Sequence, residues 1–403
     1  MSGLDVPAAA AAGTERILAH ILPSTIVVFC AYFSIGMPLS VVPPYVHGTL
    51  GLGTIAVGAM IGLQPLASVL TRPWSGILSD TRGAKTAINL GLAACGLSGV
   101  FYLVSSMPVL PPLGSVAALV IGRLALGFGE SLVMTGGLVA AIGLAGHKHS
   151  GKVMVWIGVA LYGAIAAGAP LGAVLEHAFG FRGFALACAA VPWLGLFIGL
   201  SMPSAPRAAG PRIAFFKVVG LIWELGLGLA LAVIGFGAIG SFIALDYAGH
   251  GWSGSSLALT GFGVGYIASR LLFGHLPDRL GGLPVAMVSL AVEIVGQAMI
   301  WRAPVPLVAL AGCALTGFGF SLVFPSLGIE VVKRAPASSR GAVMGAYVAF
   351  FDIGLAIAGP GTGAVVAMLG YPSAYLIGTV AAASALVLVA GVKMGVAGAR
   401  PAT

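Results

Sequence analysis

The stretch TRPWSGILSDTRGAK, residues 71–85, is a charged break in an otherwise apolar chain. A second stretch, SRLLFGHLPDRLGGL at residues 269–283, repeats four of its residue types 198 positions later. The matched residues are Arg72, Gly76, Asp80 and Gly83 in the first copy and Arg270, Gly274, Asp278 and Gly281 in the second. Because this shift is close to half of the 403 residues, the two stretches indicate an internal duplication.

The composition places the chain in a membrane. Hydrophobic residues make up 59% and charged residues 7%, whereas soluble domains have about 25% charged residues. The apolar residues form blocks of roughly 20 to 30, each long enough to cross about 30 Å of hydrocarbon as a helix. We therefore predict an all-α membrane protein with twelve transmembrane helices. The blocks are centred near Val28, Gly62, Cys95, Phe128, Gly163, Pro192, Ile234, Gly265, Val292, Gly319, Leu355 and Val380.

A second pair of similar segments supports two pseudo-symmetric halves. The segments that start at Gly151 and Gly341 align at a shift of 190, which places Pro170 opposite Pro360. The difference between the two shifts fits an extra loop at residues 105–114. Six crossings in each half give both halves the same orientation. The predicted divisions are an N-terminal tail (1–16), a six-helix bundle (17–202), a central linker (203–215), a second six-helix bundle (216–394) and a C-terminal tail (395–403).

The basic residues predict the orientation. With the N-terminus in the cytoplasm, all of the 19 Lys and Arg residues face that side except Arg123, Arg182 and Arg302. This bias follows the positive-inside rule, so we expect both tails and the linker to be cytoplasmic. The net charge of +8 then reflects membrane topology, and we expect no nucleic-acid partner. The four cysteines lie in separate predicted spans without metal-ligand spacing, so no metal or cofactor is expected.

The doubled loop resembles a signature of the major facilitator superfamily, G-x-L-a-D-r-x-G-r-k, and the resemblance covers nearly the whole chain. The first copy matches at Gly76, Leu78, Asp80, Gly83 and Lys85, while Thr81 and Ala84 depart from it and Arg82 adds a neighbouring charge. The second copy matches at Gly274, Leu276, Asp278, Arg279 and Gly281. The resemblance implies a transporter that works by alternating access.

The resemblance also implies a cytoplasmic latch that favours the outward-facing state. Gly76 and Gly274 could let helices approach closely, and Asp80 and Asp278 could accept hydrogen bonds from a helix N-terminus or pair with arginine. A static helix-end cap is the alternative. The candidate latch residues are Arg72, Gly76, Asp80, Arg82, Gly83, Lys85, Arg270, Gly274, Asp278, Arg279 and Gly281.

Charged residues within the predicted spans are candidates for proton coupling, since each costs at least about 2.5 kcal/mol at a helix centre. Arg123 and Glu130 share a face of the fourth span, roughly 10 Å apart along its axis. The second half has Cys313 in place of Arg123. We predict that Glu130 takes up and releases a proton under the influence of Arg123. A fixed structural ion pair is the alternative.

Other polar residues in the spans are weaker candidates. Asp352 is a second candidate for proton coupling, and Asp246 is either a third or a helix-end charge. Glu293 and Gln297, four residues apart, are expected to hydrogen-bond in a structural role. The candidate groups for a substrate cavity are Tyr32, Gln64 and Trp156.

The segment GAIAAGAPLGAV contains Gly168, Pro170 and Gly172. It resembles the glycine–proline motif of proton-driven exporters in the superfamily, and Gly359–Pro360 is a similar pair in the other half. A kinked helix interface is the alternative. The whole pattern is similar to bacterial arabinose-efflux-like and drug/proton antiporter permeases.

These features predict a secondary active transporter rather than an enzyme. We expect proton-coupled export of a small organic solute such as a sugar, drug or metabolite, by a monomer in the bilayer of a bacterial inner membrane. The proton gradient is the expected energy source, because no Walker sequence is present. Proton-coupled uptake is one alternative, and a non-transporting receptor or scaffold is an alternative from another class.

Overall fold

A computed structural model describes residues 6–145, 150–204, 215–334 and 340–398, and within these ranges all regular structure is helical. Most of the predicted linker lies outside the described residues. So do four of the basic residues used to predict the orientation: Lys148, Arg207, Arg212 and Arg400. The helices are α1 (Val6–Pro44), α2 (Thr54–Thr81), α3 (Ala84–Ser105), α4 (Pro112–Ala145), α5 (Ser150–Ser201), α6 (Phe215–Gly249), α7 (Ser255–Phe273), α8 (Leu276–Leu280), α9 (Gly282–Trp301), α10 (Pro306–Arg334), α11 (Arg340–Leu369) and α12 (Ser373–Gly398).

The range α5 consists of two helices, one for each of two predicted spans. Its apolar part, Trp156–Ser201, has 46 residues, about twice what one crossing needs. The two spans meet at Gly180, where φ is 68° and ψ is −176°. Glycine adopts this backbone conformation without a side-chain clash. With α5 counted twice, the twelve predicted spans and the all-α membrane fold are confirmed.

The helices form two bundles of six spans. In the first bundle α1 packs on α5 and α3 packs on α4; in the second, α9 packs on α10 and α12 on α6. The seam between the bundles is made by α2 with α11 and by α5 with α7. Helix α1 already starts at Val6, within the predicted N-terminal tail, because the alanine-rich segment there has high helix propensity.

The seam is tightly closed at the end near the α1–α2 connection. A β-carbon on Gly58 of α2 would lie 2.0 Å from the carbonyl oxygen of Gly359 on α11. Nearby, the Thr54 hydroxyl donates a hydrogen bond of 3.0 Å to the Gly363 carbonyl oxygen. Only the absence of a side chain lets these two backbones meet.

The opposite end of the seam is open. Within the described ranges, nothing lies within 4 Å of where a β-carbon would sit on Gly76 of α2 or Gly345 of α11. The two bundles diverge there, so the close helix approach expected at Gly76 is not made in this state and its part in a latch stays a prediction. In the predicted orientation the structure is closed on the outer side and faces inward.

Candidate functional site

Glu130 of α4 lies buried where three helices of the first bundle meet, with 5% of its surface exposed. One carboxylate oxygen accepts a hydrogen bond of 3.0 Å from the Tyr32 hydroxyl of α1. The other accepts one of 2.9 Å from the Gln64 side-chain amide of α2. The structure thus brings together three residues that the sequence had nominated separately.

An ion pair crosses the seam next to this group. Arg72 of α2 donates from Nε to Asp352 Oδ2 of α11 over 2.6 Å, and its Nη2 contacts the Ser68 hydroxyl at 3.3 Å. The Arg72 and Asp352 side chains are 12% and 2% exposed. The sequence assigned Arg72 to the latch and Asp352 to proton coupling. Since the two are 280 residues apart, no spacing rule could have paired them.

Arg123 of α4 is completely buried and bonds to backbone rather than to a carboxylate. Pro65 has no N–H, so the Ile61 carbonyl four residues earlier lacks its helical partner. Arg123 Nη2 donates to that oxygen over 2.9 Å, and its Nε donates to the Met60 oxygen over 3.0 Å. Arg123 therefore holds α2 against α4, and its predicted part in proton coupling remains a prediction.

Arg270 of α7 is the second buried arginine near the seam, 6% exposed. Its Nη1 donates to the Ser321 carbonyl oxygen over 3.1 Å. Pro325 leaves that carbonyl without a helical donor, as Pro65 does for Ile61. The Arg270 guanidinium carbon lies 5.8 Å from the ring centre of Tyr266.

An aromatic cluster surrounds Tyr162 of α5 and crosses the seam. We define it as Tyr162, Phe236, Phe262, Tyr266 and Phe320. Tyr162 stacks on Tyr266 with ring centres 3.7 Å apart and meets Phe236 edge-on at 5.9 Å and Phe320 at 6.4 Å. No motif of the sequence pointed to this cluster.

A comparison of the two halves could have revealed part of the aromatic cluster. The segments GFGESLV (127–133) and GFGFSLV (317–323) differ only in that Phe320 replaces Glu130. The same place in the duplicated fold is therefore acidic in one bundle and aromatic in the other.

The proline segments of α5 and α11 lie at helix contacts. Pro170 frees the Ala166 carbonyl, which accepts a hydrogen bond of 2.8 Å from the Thr260 hydroxyl of α7. A β-carbon on Gly168 would lie 3.0 Å from the α1 backbone, and one on Gly172 2.6 Å. The Gly359–Pro360 pair packs on α2. This geometry fits the kinked-interface alternative, while the exporter motif remains a prediction.

The remaining acidic candidates have different surroundings. Asp246 is buried near the end of α6, with Oδ1 3.4 Å from His250 Nδ1, which fits the helix-end alternative. Glu293 is fully buried and neither of its carboxylate oxygens has a hydrogen-bond partner among the described residues. Among these residues Glu293 thus lacks the expected hydrogen bond, whereas the Gln297 amide makes one between helices, to the Thr316 hydroxyl at 3.4 Å. Trp156 on α5 is 41% exposed.

The two signature loops adopt the same backbone conformation. Gly83 has φ 95° and ψ 151°, and Gly281 has φ 89° and ψ 152°. Glycine is required at both positions, since other residues avoid this region. Arg82 lies at the C-terminus of α2, and Asp278 and Arg279 are exposed. The latch role of these residues and of Lys85 remains a prediction.

Comparisons with known proteins agree with this architecture. The family model described as Major Facilitator Superfamily (MFS) matches residues 24–223 and 225–399. An uncharacterised MFS-type transporter of Burkholderia mallei (strain SAVP1) is 42% identical over 360 residues, covering 89% of this chain and 88% of that protein. One from Pseudomonas aeruginosa (strain UCBPP-PA14) is 43% identical over 382 residues, covering 95% of each. The crystal structure of a D-xylose–proton symporter, 15% identical, has a TM-score of 0.76 and covers 92% of this chain and 97% of that one, which shows the shared fold.

Proposed function

This chain belongs to the Major Facilitator Superfamily and is a secondary transporter of a small molecule, and from that premise we propose that it exports an organic solute in exchange for protons. The solute would be a sugar, a drug or another metabolite. The observation that carries the proposal is the buried Glu130 carboxyl beside an ion pair that links the two bundles.

The surroundings of Glu130 suit a group that gains and loses a proton. Tyr32 and Gln64 each donate one hydrogen bond to it, which stabilises the carboxylate in a buried place. Within the described ranges no basic side chain forms an ion pair with it. A proton is then a suitable neutralising partner when the site is shielded from water.

The Arg72–Asp352 ion pair connects proton binding to the movement of the bundles. Protonation of Asp352 would remove one of the two charges and weaken the only buried Arg–carboxylate pair described at the seam. Ion pairs that form in one state and break in another are a common element of rigid-body switching. The open end lies on the side predicted to be cytoplasmic, and an exporter would load its solute from that side. The choice of export over uptake rests on the motif around Pro170.

The test is transport by the purified protein in vesicles with an imposed pH gradient, screened over sugars, drugs and metal-chelating metabolites. Solute-stimulated proton movement, followed with a trapped pH-sensitive dye, would run opposite to the solute for export by antiport. Movement in the same direction would indicate symport, and no stimulated movement would indicate a receptor or scaffold.

Glu130→Gln is expected to abolish gradient-driven transport while leaving solute exchange without a gradient intact. The amide keeps the side-chain shape but cannot carry the proton. Glu176→Gln is the matched control, since Glu176 is exposed on α5, and it should transport normally. Gradient-driven transport that survives in Glu130→Gln would overturn the proposal.

A further inference from the structure

We propose that the transported solute is an aromatic carboxylate, with its carboxylate bound to the Nε–Nη2 edge of Arg270 and its ring held against the aromatic cluster. This inference rests on the proposed function, because it names the substrate class of the same transporter. It follows from comparing the two bundles position by position.

The duplication places a second arginine at the position that corresponds to Arg72. The position that corresponds to Asp352, however, is not acidic. The shift of 198 places Arg270 opposite Arg72, and the shift of 190 that aligns Pro170 with Pro360 places Tyr162 opposite Asp352. The helices correspond too, since α2 meets α11 and α7 meets α5 at the seam. One side of the seam therefore has arginine with aspartate, and the other has arginine with tyrosine.

The Nε–Nη2 edge of Arg270 corresponds to the edge by which Arg72 binds Asp352. In Arg270 this edge has no carboxylate partner within the described ranges. Arg72 directs Nε and Nη2 at Asp352, at 2.6 and 2.5 Å. Among the described residues, Arg270 makes a hydrogen bond only through Nη1, to Ser321, and its Nε is buried without a partner. No acidic residue of the described ranges forms an ion pair with Arg270.

The unpaired edge of this buried guanidinium is suited to binding the carboxylate of a solute. A buried charge is costly unless it is paired, and the planar fork of arginine binds a carboxylate in a bidentate manner. Gly158 of α5 approaches this edge closely: a β-carbon on it would lie 3.2 Å from Arg270 Nη2, so a larger residue there would crowd the guanidinium. Arg123 differs, since its Nε and Nη2 both donate to carbonyls inside one bundle.

The aromatic cluster specifies the rest of the solute. Tyr266 lies between the Arg270 guanidinium, at 5.8 Å, and the Tyr162 ring, at 3.7 Å. The shifts place Phe262 opposite Gln64 and Phe320 opposite Glu130. The second bundle thus presents rings where the first presents polar groups. An aromatic ring next to a carboxylate could make edge or stacked contacts with these rings.

The test is equilibrium binding of phenylacetate and of phenylacetamide, which match in shape and differ in charge, to the purified full-length protein in detergent. The wild type should bind phenylacetate at least about tenfold more tightly, as expected for a charge-assisted pair. Arg270→Gln should abolish this preference, although its amide can still donate to Ser321. Arg270→Lys, which keeps the charge but not the fork, should retain part of it.

Substitutions of Tyr162 provide the sharper pair of variants. Tyr162→Asp supplies the carboxylate found at the equivalent seam position, so it should pair with Arg270 and weaken phenylacetate binding far more than phenylacetamide binding, which loses only one ring of the aromatic cluster. Tyr162→Phe keeps the ring and adds no acid, so the preference for phenylacetate over phenylacetamide should persist. If Tyr162→Asp does not give monodisperse protein, the inference is tested by comparing the preference for phenylacetate over phenylacetamide in Arg270→Gln and Arg270→Lys.

Three results would overturn the inference: no binding of phenylacetate by the wild type, equal affinity for acid and amide, or an unchanged preference in Arg270→Gln. Binding in detergent needs no gradient, so the two proposals fail separately. Proton-coupled transport of an uncharged solute with no acid binding would refute only the substrate class. Acid binding without gradient-driven transport would refute only the proton coupling.

Discussion

Single prolines within the helices explain much of the buried polar chemistry in this transporter. A proline removes the donor for the carbonyl four residues before it, and a membrane offers no water to replace that donor. Side chains from other helices supply it here: Arg123 for Pro65, Arg270 for Pro325 and Thr260 for Pro170. A buried arginine in this fold is therefore not by itself a sign of proton coupling.

Arg123→Met should lower the free energy of unfolding in detergent by about 2 kcal/mol, because two buried carbonyls lose a charged donor. In a Pro65→Ala background the Ile61 carbonyl regains its helical N–H, so the loss should be about 1 kcal/mol smaller. Thermal unfolding of the four proteins in a double-mutant cycle measures the difference. An equal decrease in the free energy of unfolding in both backgrounds would show that Arg123 does not compensate for the donor that Pro65 lacks.

The sequence identified many of these side chains but few of their partners. Tyr32, Gln64 and Glu130 were each nominated because polar groups are rare in apolar spans. Helical periodicity places a side chain on a face of its own helix, but it does not say which helix that face meets. For that reason Arg123 was assigned to Glu130, whereas the structure directs it to Met60 and Ile61.

At the scale of helices, the contact between α2 and α11 depends on glycine. A β-carbon on Gly359 would lie 2.2 Å from the Gly58 carbonyl oxygen, whereas one on Gly361 of the same helix would meet nothing within 4 Å. Gly359→Ala should therefore push α2 and α11 apart at the closed end and disfavour the state described here. Gly361→Ala is the matched control and should have no effect.

Labelling of Thr54→Cys with a maleimide that cannot cross the membrane measures this opening, since Thr54 lies in the closed seam. In a Cys30→Ser background the other native cysteines are buried. Labelling of Thr54→Cys should be severalfold faster in the protein that also carries Gly359→Ala than in the protein with Gly361→Ala or in the protein with neither glycine changed. The same rate in all three proteins would mean that the glycine contact does not set the closure of the seam.

Spans were easier to predict than their ends. Apolar blocks longer than a bilayer crossing located all twelve spans, because hydrocarbon thickness fixes their length. Ends depend on local capping and propensity, which tolerate several residues of change. Hydropathy also could not place the break between the fifth and sixth spans at Gly180, since the change of chain direction there depends on a single backbone conformation.

For the whole molecule, the repeated loop predicted two bundles of the same orientation, and the structure has them. The sequence could not predict which end of the seam is closed, because both states of such a transporter bury nearly the same apolar blocks. It also did not show that the first bundle and the second bundle have different types of side chain at equivalent positions of the seam. That division becomes visible when Glu130 and Asp352 are compared with Phe320 and Tyr162 at the seam.

Alternating access requires the closed end of the molecule to open. His47, after α1, and Tyr371, before α12, meet across the seam there, with the Tyr371 hydroxyl 3.4 Å from His47 Nε2. Burial and the nearby Asp246 raise the pKa of Tyr371, so its hydroxyl keeps its proton and can donate to the imidazole. Replacing both residues by cysteine and joining them with a short bifunctional thiol reagent should hold the two bundles together and abolish transport.

A link within one bundle distinguishes locking from damage. Thr49→Cys and Met107→Cys provide it, because both residues line one surface cavity of the first bundle and both are exposed. Solute flux in vesicles should be lost on linking residues 47 and 371, survive linking residues 49 and 107, and survive the reagent with either single cysteine. In the locked protein the open end still faces the predicted cytoplasmic side, so solute binding from that side should persist. Flux that continues with the bundles linked would show that solute crosses without opening of the outer end, which is incompatible with rocking of the two halves.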